Sequence, residues 1–191
     1  MNNLILIISM FNLFFNNKQI INYDLFNHQI EVSIDNIAKE EKEYKDYLAA
    51  YYKKYYYMGE KKSDIARKLN RELNSTLKNK GAFIVEYSSK VGMDPYLATA
   101  VMLQETGCKW TCSYITRTCN NVGGNKGSPS CNGGSYKKFS TIEEGIKFAI
   151  DKLNYYYTEK GLKTTKEINP YYAGDSTWYV KVNRYMNRLK K

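Results

Sequence analysis

All four cysteines of this 191-residue chain, Cys108, Cys112, Cys119 and Cys131, fall in one short stretch rich in Gly, Asn and Ser. Such a stretch buries too little apolar surface to offset the entropy of ordering it. Something must cross-link it, either disulfides or a metal. The spacing C-x3-C-x6-C-x11-C lacks the paired C-x2-C knuckles of a structural zinc site, and the only histidine, His28, is far away. Two disulfides are expected and no metal; sequence leaves all three pairings open. Disulfides persist in oxidising compartments, so a secreted protein, or one on the outer face of the membrane or in the cell wall, is expected.

The N-terminus agrees with export. An apolar run from Leu4 to Phe15 is broken only by Ser9 and Asn12. It is shorter than the roughly 20 residues of a membrane span but suits a signal-peptide core. No Lys or Arg precedes it, and Asn-Asn-Lys-Gln follows where small residues would mark a cleavage site. It reads as an export signal or an uncleaved anchor in the membrane; a buried strand or helix is the alternative. The formal net charge of +10 favours polyanionic partners such as nucleic acid, anionic lipid or an anionic cell wall. The lysines are scattered and no nucleic-acid motif is present, so nucleic acid is not the expected partner.

Three regions follow from composition. Residues 1–34 hold the apolar run and a polar tail. Residues 35–62 form a helical linker or stalk, with Tyr44, Tyr47, Tyr51, Tyr52, Tyr55, Tyr56 and Tyr57 spaced for one face, ending at Met58-Gly59. Residues 63–191 form the main domain. Ser63 is placed to cap a helix striped by Ile65, Leu69, Leu73 and Leu77, which ends at Lys80-Gly81. Ala82 to Val91 is a second helix. Residues 107–139 are the stapled loop. Ser140-Thr141-Ile142-Glu143 reads as a capping box, which makes Glu143 a cap and not a catalyst. Pro170 to Gly174 reads as a turn, and Asp175 as the cap of a last helix carrying Trp178, Val182, Met186 and Leu189. No long stretch alternates with period two, so the expected class is all-α.

One carboxylate stands apart. Asp94 can cap, and Pro95 can open, a helix that runs to Thr106. Leu97, Val101 and Glu105 are spaced four apart and point the same way. Glu105 therefore shares the apolar face where the helix meets Gly107. Burial raises the pKa of a carboxyl, and a raised pKa is what a general acid needs near neutral pH. The alternative is a solvated glutamate of the last turn.

The ordered segments VGMDPYLATAVMLQETG, NNVGG, FSTIEEGIKFAIDKLNYYYTEKGLKTTKEINPYYAGD and TWYVKVNRYM resemble bacterial cell-wall hydrolases of the endo-β-N-acetylglucosaminidase type. These are related to goose-type lysozymes and lytic transglycosylases, and the likeness covers about Asp64 to Tyr185. It implies an α-rich, two-lobed lysozyme-like domain with the stapled loop over a cleft. It also implies cleavage of the β-1,4 bonds of peptidoglycan glycan strands by a monomer, without cofactor. Glu105 matches the catalytic acid. Asn120, Asn121, Gly123 and Gly124 match the cleft loop, and Tyr172 the tyrosine facing the sugar. The chain departs from the pattern at Cys-Lys-Trp-Thr-Cys after Glu-Thr-Gly, and at Gly174, where proline is common.

Glycoside cleavage needs an acid and a second group at the anomeric carbon. Asp151 and Asp175 are candidates, although each also reads as structural. The substrate's own N-acetyl oxygen or 6-hydroxyl can replace such a group, the latter giving an anhydro product. Trp110 and Tyr136 can stack on sugars or pack under the loop. A non-catalytic glycan-binding module and a nucleic-acid-binding protein are the rival readings.

Overall fold

The computed structural model describes residues 23–191; the apolar run Leu4–Phe15 lies outside them. The chain divides into two compact units, Met1–Tyr51 and Tyr52–Lys191. The described part of the first is helix α1, Tyr23–Tyr55, whose last residues belong to the second unit. α1 begins well before Asp35. Tyr44, Tyr47, Tyr51, Tyr52 and Tyr55 are exposed and form no core face. No helix among the described residues is long and apolar enough to cross a membrane.

The second unit begins ahead of Ser63. A two-stranded antiparallel hairpin, β1 (Tyr56–Tyr57) and β2 (Glu60–Lys61), turns at Met58 and Gly59, both at positive φ. Glu60 accepts from Lys68 at 2.6 Å and from the Tyr96 hydroxyl at 2.9 Å, which ties the hairpin to the helices. Seven helices follow: α2 (Lys62–Asn70), α3 (Gly81–Val91), α4 (Pro95–Thr106), α5 (Tyr114–Cys119), α6 (Ile142–Asn154), α7 (Thr165–Tyr172) and α8 (Trp178–Leu189). The class is mainly helical, as expected.

α4 is the centre. Asp94 accepts from the Tyr96 and Leu97 amides, Pro95 opens the helix, and Gly107 ends it at φ 66°. Every residue from Pro95 to Leu103 is buried, so the helix is enclosed on all sides and has no single apolar stripe. α2, α3, α6 and α8 pack around it. Each large aliphatic side chain buried here contributes about 1.5–3 kcal/mol.

Several sequence expectations shift. The stripe from Ile65 to Leu77 is buried throughout but is not one helix. α2 stops at Asn70, and Leu77 lies in a separate 3-10 turn, Ser75–Leu77. The asparagines explain the break. Asn70 accepts from the Gly81 amide at 2.8 Å, and Asn74 bonds to the carbonyls of Cys108 and Lys109. Ser63 caps nothing; Lys61 precedes α2 without a side-chain bond. The cap of α6 sits one residue later than expected. Thr141 accepts from the Glu144 amide, and Glu144 accepts from the Ser140 amide. Glu143 instead pairs with Lys80. Pro170 to Tyr172 is not a turn but the end of α7, which starts from a full capping box of Thr164 and Glu167. Asp175 folds the entry to α8 through the Thr177 amide, and Thr177 holds the cap position.

The cysteines pair as Cys108–Cys112 and Cys119–Cys131, so none of the four is a free thiolate ligand. The loop they staple contains α5 and is organised by Asn121. This buried side chain donates to the carbonyls of Asn125 and Lys137, both at 2.8 Å, and accepts from the Asn125 amide at 2.9 Å. The loop lies against α6 at Gly145, where an added Cβ would run into the carbonyl of Asn120. Gly145→Ala should therefore force loop and helix apart and cost at least about 2 kcal/mol. Denaturant unfolding measures this, and wild-type stability in that variant would show that the contact is not tight.

Candidate active site

Glu105 occupies the last turn of α4, where the buried helix meets the loop. Its carboxylate is half-buried, and its Oε1 accepts from the indole Nε1 of Trp178 at 2.8 Å. Burial raises its pKa; the Trp178 bond and the Lys152 charge oppose the rise without cancelling it. The other oxygen faces the loop. Gly124, at φ 60°, comes so near that a Cβ there would sit 3.8 Å from Oε2.

α8 and α7 supply two sides of the site. Trp178 opens α8 and is buried. Asn169 fixes the α7–α8 corner by donating to the Asp175 carbonyl at 2.8 Å and accepting from the Tyr179 amide at 3.1 Å. That corner sets the Tyr172 ring 5.0 Å from the Trp178 ring. The Tyr172 hydroxyl is buried and has no hydrogen-bond partner among the described residues. Burial, with the Glu105 charge second, pushes its pKa above the usual range, so it stays a neutral donor.

α6 supplies the cation. Lys152 Nζ lies 4.7 Å from the Tyr172 ring centroid and donates to Asn125 Oδ1 at 3.3 Å. Its burial lowers its pKa, opposed by Glu105. The Asn125 Nδ2 is a second buried polar atom without a partner among the described residues. A buried hydroxyl and a buried amide thus lack protein partners near a carboxyl whose burial favours its protonated form.

The candidates separate into two groups. Glu105, Gly124 and Tyr172 converge. Gly123 adjoins them, and a Cβ there would strike Asn125 at 2.6 Å. Asn120 and Asn121 do not serve as ligand groups. The Asn120 amide donates to the Phe139 carbonyl at 3.0 Å, and the Asn121 side chain is consumed within the loop. Tyr136 pairs with Lys126 on the loop rim and has no described contact with Glu105. Asp151 accepts from the Tyr87 hydroxyl, and Asp175 is held down to about 2 by Lys181 and Thr177. Neither carboxylate bonds to Glu105 or to Lys152 among the described residues. Trp178 and Lys152 went unread as site residues. Trp178 reads as core because it heads the apolar face of α8, and nothing in the sequence marks Lys152. Comparison with known protein families gives no match, and comparison with curated proteins gives none either.

Two stability effects follow. A carboxyl whose folded pKa is raised destabilises the fold fully above that pKa and not at all below its unfolded value. Glu105→Gln should thus raise Tm at neutral pH, and the gain should shrink as pH falls toward the ordinary carboxylate range. Calorimetry across pH tests this; a constant or inverted difference would contradict the burial effect. Tyr172→Phe removes an unpaired buried hydroxyl, so its stability should stay within about 1 kcal/mol of wild type. A larger loss in thermal unfolding would reveal a hidden partner for that hydroxyl.

Proposed function

We propose that the protein is a glycoside hydrolase that cleaves the β-1,4 bonds of peptidoglycan glycan strands, with Glu105 as general acid and then base. The observation that carries this reading is the set of groups at Glu105. A half-buried carboxyl with a raised pKa stands beside a buried, unpartnered tyrosine hydroxyl and a glycine-lined loop. Protonated Glu105 would donate to the leaving glycosidic oxygen. The Tyr172 hydroxyl and the Asn125 amide would orient the acetamido group. The helical architecture is consistent with a two-lobed lysozyme-like domain, and the resemblance along residues 64–185 favours the N-acetylglucosaminidase type.

Because Asp151 and Asp175 are engaged elsewhere, a route that needs no second protein carboxylate is favoured. The substrate's acetamido oxygen, or its 6-hydroxyl in a lytic transglycosylase, would attack the anomeric carbon. Export to the wall fits two disulfides, and the excess of basic residues would hold the protein on an anionic wall.

Glu105→Gln should reduce solubilisation of purified cell walls at least about a hundredfold while the protein stays folded. Wild-type cleavage should fall as pH rises through the raised Glu105 value, because the acid must be protonated. A Glu105→Gln protein that still clears walls would remove Glu105 from the chemistry. Equal wall binding by both proteins with no cleavage by either would favour a binding module.

A further inference from the structure

A second concave site lies on the helices that hold the acid. It encloses about 310 Å³ between the end of α4 and α8, lined by Gln104, Trp110, Lys181, Arg184, Tyr185 and Arg188, with Lys109 at its edge. That volume is at the lower end for ligand pockets, about 300 Å³, so it suits a single small ring better than an extended strand.

Its charge is uneven. Lys109 and Arg188 share Glu72, and Lys181 pairs with Asp175. Four cations against two carboxylates leave a net charge of +2. Arg184 is exposed and makes no ion pair among the described residues. A guanidinium without a carboxylate is a planar fork open to an oxyanion.

Trp110 supplies an aromatic surface. It is 76% exposed, an unusual position for the largest apolar side chain. It sits inside the short Cys108–Cys112 bridge, both of whose cysteines are buried. A bridge closing so few residues stabilises the fold least, because the constraint on the unfolded chain grows with loop length. The Lys109 ammonium, tied to Glu72, lies 5.3 Å from the ring centroid.

We propose that this pocket is an accessory subsite for one sugar ring bearing an oxyanion, with the ring against Trp110 and the oxyanion on Arg184. The proposal rests on the glycan reading above. Carboxylate and phosphate share this chemistry, and an acidic muramyl unit or a phosphorylated wall polymer would supply them.

Ligand-observed NMR titration of the full chain tests it with four probes: N-acetylmuramic acid, N-acetylglucosamine 6-phosphate, N-acetylglucosamine and inorganic phosphate. At least one acidic sugar should bind saturably, at least tenfold tighter than the neutral sugar and than phosphate. Whichever acidic sugar does so names the oxyanion. Arg184→Ala and Trp110→Ala, both at exposed positions, should each weaken that binding at least tenfold, and Glu105→Gln should leave it unchanged. Equal affinity for the neutral sugar, equal affinity for phosphate, or undiminished binding by Trp110→Ala overturns the proposal. Loss of the wall-cleavage reading would come from the Glu105 assay and would leave this titration intact, so the two failures are distinguishable.

Discussion

The enclosure of α4 governs the rest of the structure. A helix buried on every side from Pro95 to Leu103 admits no charged residue until it emerges at Gln104, and Glu105 is the first. The exit is fixed on both sides. The Thr106 hydroxyl donates back to the Met102 carbonyl and accepts from the Cys108 amide, while Gly107 turns the chain at φ 66°. Glu105 can therefore neither retract into the core nor swing fully into water. Its position at the helix C-terminus, where the peptide dipoles disfavour a negative charge, acts in the same direction as burial.

The stapled loop completes the site by its rigidity and by the side chain of Asn125, which accepts from Lys152. Asn121 bonds the loop to itself, Gly145 lets it lie flat on α6, and the Cys119–Cys131 bridge closes it. The backbone at Gly124 then faces the carboxylate. A wall built in this way presents fixed dipoles with little reorganisation, which is the condition under which electrostatic stabilisation is effective.

What was legible in the sequence was local. Asp94, Pro95 and Gly107 marked both ends of α4, because caps and left-handed stops act within a few residues. The position of Glu105 and the two disulfides followed from spacing and composition. What was illegible depended on distant partners. The break at Asn70 comes from an amide eleven residues on, and the bend at Asn74 from carbonyls beyond α4. Trp178 touches Glu105 across 73 positions, and its apolar neighbours on α8 conceal the role of its one polar atom. Asn/Gly density was ambiguous in principle, since the same residues build a loop or serve a ligand. Here Asn120 and Asn121 build the loop, and Gly124 brings its backbone close to Glu105.

Lys152 is one of two groups that limit the rise in the Glu105 pKa. Lys152 acts on Glu105 through its charge and forms no ion pair with it, because its ammonium is engaged by Asn125 and lies over the Tyr172 ring. At about 4 Å and an effective dielectric constant of about 20, a direct pair would gain about 4 kcal/mol. That equals a factor of about a thousand in proton affinity, enough to hold the carboxyl ionised at neutral pH. Trp178 stabilises the carboxylate more gently, as a single neutral donor. Asn125 and Tyr172 thus both engage Lys152, and by occupying it they leave in place the rise that burial causes at Glu105.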